Sequence, residues 1–235
     1  MKSIKVVLYA LTFFLTTQAC AQTSQREQLS KALWTLNIDA VRSLLDAGAS
    51  AKTRDPEGFV PLVSAVIAGS RPNKEQIALD IAQLLIKAGA DVNEDGPVGT
   101  TPLAAACSQT NSVRIVEFLI DRGANVNAKG YNGTSPLYQA VRKGRPAMAE
   151  VLIEHGANVN AKNIEGQSIL HYAVLNNMKS TVELLIARGA EINARDNEGK
   201  TPLLWSLGKL PSSFIGTLVG TPALADFLRQ RGATE

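Results

Sequence analysis

A Gly-Ala pair recurs along this chain at nearly constant spacing. It stands at Gly48-Ala49, then as Gly89-Ala90-Asp91-Val92-Asn93, Gly123-Ala124-Asn125-Val126-Asn127, Gly156-Ala157-Asn158-Val159-Asn160 and Gly189-Ala190-Glu191-Ile192-Asn193, with Gly232-Ala233 as a sixth near the end. The steps from Gly89 to Gly123, to Gly156 and to Gly189 are 34, 33 and 33 residues. Self-similarity at a fixed period means that one supersecondary unit has been copied and stacked. Each unit then buries its apolar face against its neighbours, and the 235 residues need not divide into ordinary globular domains.

A second motif runs in phase with the first: Val60-Pro61-Leu62, Thr101-Pro102-Leu103, Ser135-Pro136-Leu137, Ser168-Ile169-Leu170 and Thr201-Pro202-Leu203. The intervals Asn93 to Pro102, Asn127 to Pro136, Asn160 to Ile169 and Asn193 to Pro202 are all nine residues. Residues 130–162 show the physics of one copy. Ser135 can cap a helix that Pro136 begins, because the first helical position needs no N–H partner. Leu137, Ala140 and Val141 give that helix an apolar stripe and Gly144 ends it. Pro146 opens a second helix with Met148, Val151, Leu152 and Ile153 buried, and Gly156 stops it. The polar stretch from Asn158 to Gln167 must then reverse the chain. Each unit is a helix hairpin with a projecting turn.

These residues resemble the ankyrin repeat, whose pattern runs turn, Thr-Pro-Leu-His-x-Ala, Gly, second helix, Gly-Ala-Asp-Val-Asn. The resemblance covers about residues 27–235 and implies an all-α solenoid of helix-turn-helix units with projecting β-turn or hairpin loops. The closest copies are residues 163–195, with Ile169-Leu170-His171-Tyr172-Ala173, and 96–129. In that family small Ala residues let neighbouring inner helices approach, and Ala65, Ala106, Ala140 and Ala173 form such a column here. The implied organisation is an N-terminal cap at 26–54, units at 55–95, 96–129, 130–162 and 163–195, and a C-terminal cap at 196–235. The first unit lacks Thr-Pro-Leu, as suits a cap with a polar outer face. The second unit carries a surplus around Ser70 to Ile77, with a loop at Arg71-Pro72-Asn73. The last carries one from Gly208 to Thr221, containing Phe214, Ile215, Leu218 and Val219. Loop closure cost grows slowly with length, so both are tolerable as loops; the second is also apolar enough to touch a partner.

Residues 1–21 read as an export signal, with Lys2 and Lys5, the apolar run Val6 to Leu15, and a cleavage site at Ala19-Cys20-Ala21. The apolar run is too short to span a bilayer. Gln18-Ala19-Cys20 also resembles the end of a bacterial lipobox, with Thr17 where Leu is usual, which makes lipidation of Cys20 the alternative to a soluble periplasmic or secreted chain at 22–235. Either outcome leaves Cys107 without a disulfide partner. Loss of Lys2 and Lys5 lowers 24 basic residues to 22 against 21 acidic ones, a near-neutral balance that argues against nucleic acid as a partner.

No chemistry emerges. Asp91-Val92-Asn93-Glu94-Asp95-Gly96 matches the start of a calcium loop, but the position that should supply a bidentate Glu is Pro102. His155 precedes a helix-ending Gly and His171 occupies the repeat's own His position, so both read as structural. With one remaining Cys, a zinc site has no ligand set, and neither a phosphate loop nor a nucleophile elbow is present. No enzyme activity, cofactor or metal is expected.

What remains is surface. Through the resemblance, partners are gripped by the turn tips and the exposed side of the first helices, which line a concave face. Those positions carry apolar Phe59, Ile67, Val98, Tyr131, Ile164 and Leu175, with Arg142 near the middle, where water-facing turns should be polar. That is the composition of a protein-binding patch, although scattered apolar residues are also ordinary on surfaces. The expected function is monomeric, stoichiometric binding of a protein partner. Two alternatives among exported bacterial ankyrins stay open: an inhibitor or immunity protein that blocks an envelope-acting enzyme, and an accessory factor in oxidative defence.

Overall fold

The computed structural model describes residues 23–211 and 221–235. The expected export signal with Cys20, and residues 212–220 of the last insertion, lie outside the described residues. The described chain is all-α, with twelve helices and no strand, and it divides into two compact units, Met1–Pro97 and Val98–Glu235.

In the first unit, α1 (residues 23–35) and α2 (Ile38–Asp46) form one hairpin, and α3 (Pro61–Ala68) and α4 (Glu75–Lys87) form another. Asn37 caps α2 by accepting the N–H of Ala40 at 3.0 Å. Leu33, Val41, Leu62, Val63, Ile81 and Leu85 are fully buried between these helices. The surplus of this unit is only partly a loop. Arg71, Pro72 and Asn73 do form a turn, but Glu75 to Ile77 belong to α4, which has 13 residues where its counterpart α6 has nine. The acidic Glu75 in the first turn suits the positive end of the helix. Close packing then requires a glycine where α3 ends: a Cβ on Gly69 would lie 2.4 Å from Cβ of Ala78.

The second unit is a stack of four hairpins: α5 (Pro102–Gln109) with α6 (Val113–Asp121), α7 (Pro136–Arg142) with α8 (Pro146–Glu154), α9 (Ile169–Leu175) with α10 (Lys179–Ala187), and α11 (Pro202–Ser206) with α12 (Pro222–Gln230). The first helices of successive hairpins pack side by side, and α6, α8 and α10 do the same. Ala106, Ala140 and Ala173 are wholly buried, as the small-residue column requires. Thr101, Ser135, Ser168 and Thr201 each cap a first helix through the side chain. In α8, Met148, Ala149, Leu152 and Ile153 are buried, whereas Val151 turns half outward.

The recurrent Gly-Ala pair now has a physical cause. Each Gly follows the end of a second helix in the left-handed region, as at Gly156 with φ 83°, and the next Ala N–H reaches back to close the helix. Ala157 donates to Leu152, Ala190 to Leu185 and Ala233 to Leu228, at 2.9, 2.9 and 3.0 Å. This is a Schellman closure, which needs Gly at the turn and a small apolar residue after it.

In the second unit the Asn that ends the motif then ties one hairpin to the next. The side chain of Asn127 donates to the Gly156 carbonyl at 3.1 Å and accepts the Asn158 N–H at 2.8 Å. Asn160 does the same with Gly189 and Glu191, at 3.0 and 2.8 Å, and Asn193 with Gly232 and Thr234, at 3.2 and 2.8 Å. The sixth Gly-Ala pair is therefore the last rung of an amide ladder.

Candidate protein-binding surface

The turns that precede the first helices are built in two ways. At Asp55, Asn163 and Asp196 the leading side chain organises the loop. Asn163 Oδ1 accepts the N–H groups of Glu165 and Gln167 at 3.0 and 2.9 Å, and Asp196 Oδ1 accepts those of Glu198 and Lys200 at 3.0 and 2.8 Å. Asp55 Oδ1 accepts the Phe59 N–H at 2.7 Å. Where the leading residue is instead Gly96 or Gly130, two successive residues take positive φ: Val98 and Gly99 at 53° and 73°, and Asn132 and Gly133 at 56° and 71°. This is the type I′ geometry, for which Asn-Gly is the favoured pair. Val98 is a β-branched residue in the place that Asn132 fills in the next hairpin.

Neighbouring turns of the second unit touch. Ile164 N–H donates to the Asn132 carbonyl at 3.1 Å, and Asn197 N–H to the Glu165 carbonyl at 3.0 Å. A Cβ on Gly130 would stand 3.1 Å from the Gly99 carbonyl oxygen. Behind this row lies a partly buried polar and aromatic network. Asn163 donates to the Tyr138 hydroxyl and to Gln167 Oε1, both at 2.9 Å, and Tyr172 donates to the same Gln167 oxygen at 2.9 Å. Tyr138 meets Tyr172 edge-on with ring centroids 5.0 Å apart, and Tyr172 meets Trp205 at 5.5 Å. Trp205 donates to Asp196 Oδ2 at 3.1 Å, which fixes the last turn. Burial pushes the Tyr138 phenol far above its ordinary range, so it serves this network as a neutral group.

The apolar residues expected at the turns separate into two groups. Val98, Tyr131 and Ile164 expose 66%, 62% and 64% of their surface, and they are the exposed large hydrophobic residues among those described. Arg142 is also exposed, whereas Phe59, Ile67 and Leu175 are half-buried. Phe59 rests edge-on against Trp34, with centroids 6.1 Å apart, so it has an internal packing role in the first unit. The second unit brings Val98, Tyr131 and Ile164 onto consecutive turns, the first two in close approach at Gly99 and Gly130 and the last two joined by a hydrogen bond.

The His, Cys and acidic residues weighed as chemical groups are used structurally. Ser168 N–H donates to His171 Nδ1 at 3.1 Å, which leaves the proton on Nε2 to donate to the Lys200 carbonyl at 3.0 Å. His155 Nδ1 lies 2.8 Å from the Val151 carbonyl in the last turn of α8. Asp91 Oδ1 accepts the Asn93 N–H at 2.8 Å, and Glu94 and Asp95 face Arg54 at 3.5 and 3.6 Å. Cys107 is wholly buried in α5, and burial pushes its thiol up to about 12. Arg145, from the next hairpin, donates to the Cys107 carbonyl at 2.8 Å and so caps the end of α5, a role that no local pattern announced. Among the described residues no cluster of three or more His, Cys, Asp or Glu is placed to hold a metal, and no helix is long and apolar enough to cross a membrane.

Paired helices, a repeated amide ladder and projecting turns define a helical repeat protein. A family model for ankyrin repeats in three copies matches residues 73–163, and one for ankyrin repeats in many copies matches residues 152–203. The chain belongs to the ankyrin-repeat proteins, whose repeats are generally protein–protein interaction modules and typically non-catalytic. No curated protein matches it.

Proposed function

We propose that this chain is an exported, non-catalytic module that holds a partner protein on the turns of its second unit. One observation carries the reading: the three large hydrophobic side chains that are exposed among the described residues, Val98, Tyr131 and Ile164, sit on successive turns that touch one another. Apolar surface scattered at random would not fall into one row, and a row of this kind rimmed by polar groups marks an interaction site. Arg142, exposed at the end of α7, supplies a cation of the type enriched at binding hot spots.

Export rests on residues 1–21, where a basic start, an apolar run and Ala19-Cys20-Ala21 have the order of a signal peptide. Mass spectrometry of the mature N-terminus, with acyl mass sought on Cys20, decides between a chain starting after Ala21 and a lipid-anchored one. For the binding face, Tyr131→Ser, Ile164→Ser and Arg142→Ala are combined and the purified protein is used to capture partners from a periplasmic extract. Loss of the captured protein with unchanged helicity is expected. Capture at wild-type level by the triple variant would refute the assignment.

A further inference from the structure

Charge is not evenly spread in the second unit. Residues 98–113 contain no charged side chain, and residues 123–149 contain Lys129, Arg142, Lys143 and Arg145 without a single acid. The acidic residues between these two stretches, Glu117 and Asp121, lie on the second helix α6. From Val98 through α5, and from the Tyr131 turn through α7, the only charged side chains are therefore cations. Arg145 is committed to the carbonyls at the end of α5. Lys129, Arg142 and Lys143 are exposed and have no acidic partner among the described residues. Lys129 immediately precedes the Tyr131 turn. Arg142 lies one helical turn beyond Tyr138, on the same side of α7, and the Tyr138 hydroxyl is bound by Asn163, the neighbour of Ile164. Carboxylates bound the stretch at both ends in sequence: Glu94 and Asp95, which face Arg54, precede the Val98 turn, and Glu165 follows Ile164.

Unpaired cations kept clear of acids repel one another slightly and gain nothing within the fold; they are favourable only against an incoming negative charge. From this we infer that the partner is a protein segment that combines apolar side chains with carboxylates, the apolar groups resting on Val98, Tyr131 and Ile164 and the carboxylates on Arg142, Lys143 and Lys129. This rests on the binding face proposed above. Only one of the three exposed turn residues, Tyr131, could stack on a base, and aliphatic Val98 and Ile164 could not, whereas an acidic, apolar peptide uses both halves of the surface.

The test is selection of a displayed random-peptide library on the purified chain, followed by affinity measurements with the selected peptides. Enrichment of Asp and Glu beside aromatic or aliphatic residues is expected, with binding weakened about tenfold or more by Arg142→Glu combined with Lys143→Glu and by added salt. Both positions are exposed, and circular dichroism verifies the fold of the variant. Peptides that require Tyr131 and Ile164 but are neutral or basic, or are indifferent to the charge reversal, would overturn the acidic preference and leave the binding face standing. If the selected peptides bind equally well to the Tyr131→Ser, Ile164→Ser variant, both fail. Vesicles of phosphatidylcholine with phosphatidylglycerol are the remaining arm: charge-dependent retention of the chain on them, with no acidic peptide selected, would assign the surface to a membrane instead.

Discussion

Nε2 of His171 donates to the carbonyl of Lys200 at 3.0 Å, 29 residues further on, and so locks one hairpin to the next through a fully buried ring. Of the five positions that could carry this His, the others hold Val63, Ala104, Tyr138 and Leu204, so the joint before α11 is chemically distinct. Burial lowers the His171 pKa from 6.5; the Lys200 carbonyl and Asp196 oppose the shift and Lys162 adds to it. The unfolded chain therefore takes up a proton below about pH 6.5 that the folded chain refuses. Stability from this group is complete above that pH and declines as pH falls below it. Thermal melts from about pH 7.5 to about pH 5 should show a steeper loss in the wild type than in His171→Gln, which keeps a donor but cannot titrate. Parallel curves would show that His171 is not the acid-sensitive group.

The amide of Asn160 makes two bonds across a hairpin boundary, to Gly189 and Glu191. Asn160→Ala removes both, and at about 1 kcal/mol each the loss should be roughly 2 kcal/mol in urea unfolding. Asn160→Asp keeps the acceptor but loses the donor to Gly189, so it should fall below wild type as well. A neutral Asn160→Ala would mean that water replaces the ladder without cost.

Gly166 and Gly156 both hold positive φ, 72° and 83°, but only one is crowded. A Cβ on Gly166 would meet Asn197 Oδ1 at 2.5 Å and Asn197 N at 3.0 Å, whereas one on Gly156 meets nothing within 4 Å. Gly156→Ala should cost the left-handed backbone penalty alone, about 1–2 kcal/mol. Gly166→Ala adds a clash between adjacent turns and should cost clearly more, with altered amide signals at Asn197. Equal losses would argue that the turns separate freely.

Much of this was legible because repeats write their rules locally. The helix caps at Thr101, Ser135, Ser168 and Thr201, the buried column of Ala106, Ala140 and Ala173, and the bare turn residues Val98, Tyr131 and Ile164 all follow from short patterns with a fixed phase. The bonds that join hairpins were not. Asn127, Asn160 and Asn193 look like turn residues until the Gly about 30 positions later is set beside them, and Arg145 looks like a surface cation until the end of α5 meets it. Glu75 to Ile77 were misassigned because Arg71-Pro72-Asn73 signals a loop but not where that loop stops; the apolar spacing of Ala78, Leu79, Ile81, Ala82 and Leu85 carries the helix back to Glu75. The packing role of Phe59 is not legible locally, since its partner, Trp34, belongs to the preceding hairpin.

Cys107 should behave as an inert apolar residue. Its thiol is held near 12 by burial, which outweighs the opposing pull of Arg145, and the thiolate is the reactive form. With Cys20 changed to Ser, a thiol reagent such as Ellman's should label the native chain only on the time scale of unfolding and label it at once in guanidinium. Rapid labelling of the native chain would place the sulfur at the surface.

Val98 holds φ 53° and ψ 30°, a left-handed conformation that a β-branched residue adopts only under strain. The equivalent place in the next hairpin is filled by Asn132, at φ 56° and ψ 27°, a residue that tolerates this region. With 66% of its surface exposed, Val98 gains little from burial to offset the strain. Strain that persists without a packing return points to use of the side chain elsewhere. Val98→Asn should therefore raise stability by about 1 kcal/mol, read as a higher Tm and urea midpoint. The same change should weaken any ligand that rests on the Tyr131 and Ile164 turns, because it removes the apolar group at the end of their row. Stability that falls on substitution would show that Val98 packs within the fold after all, and that two turns, not three, form the apolar row.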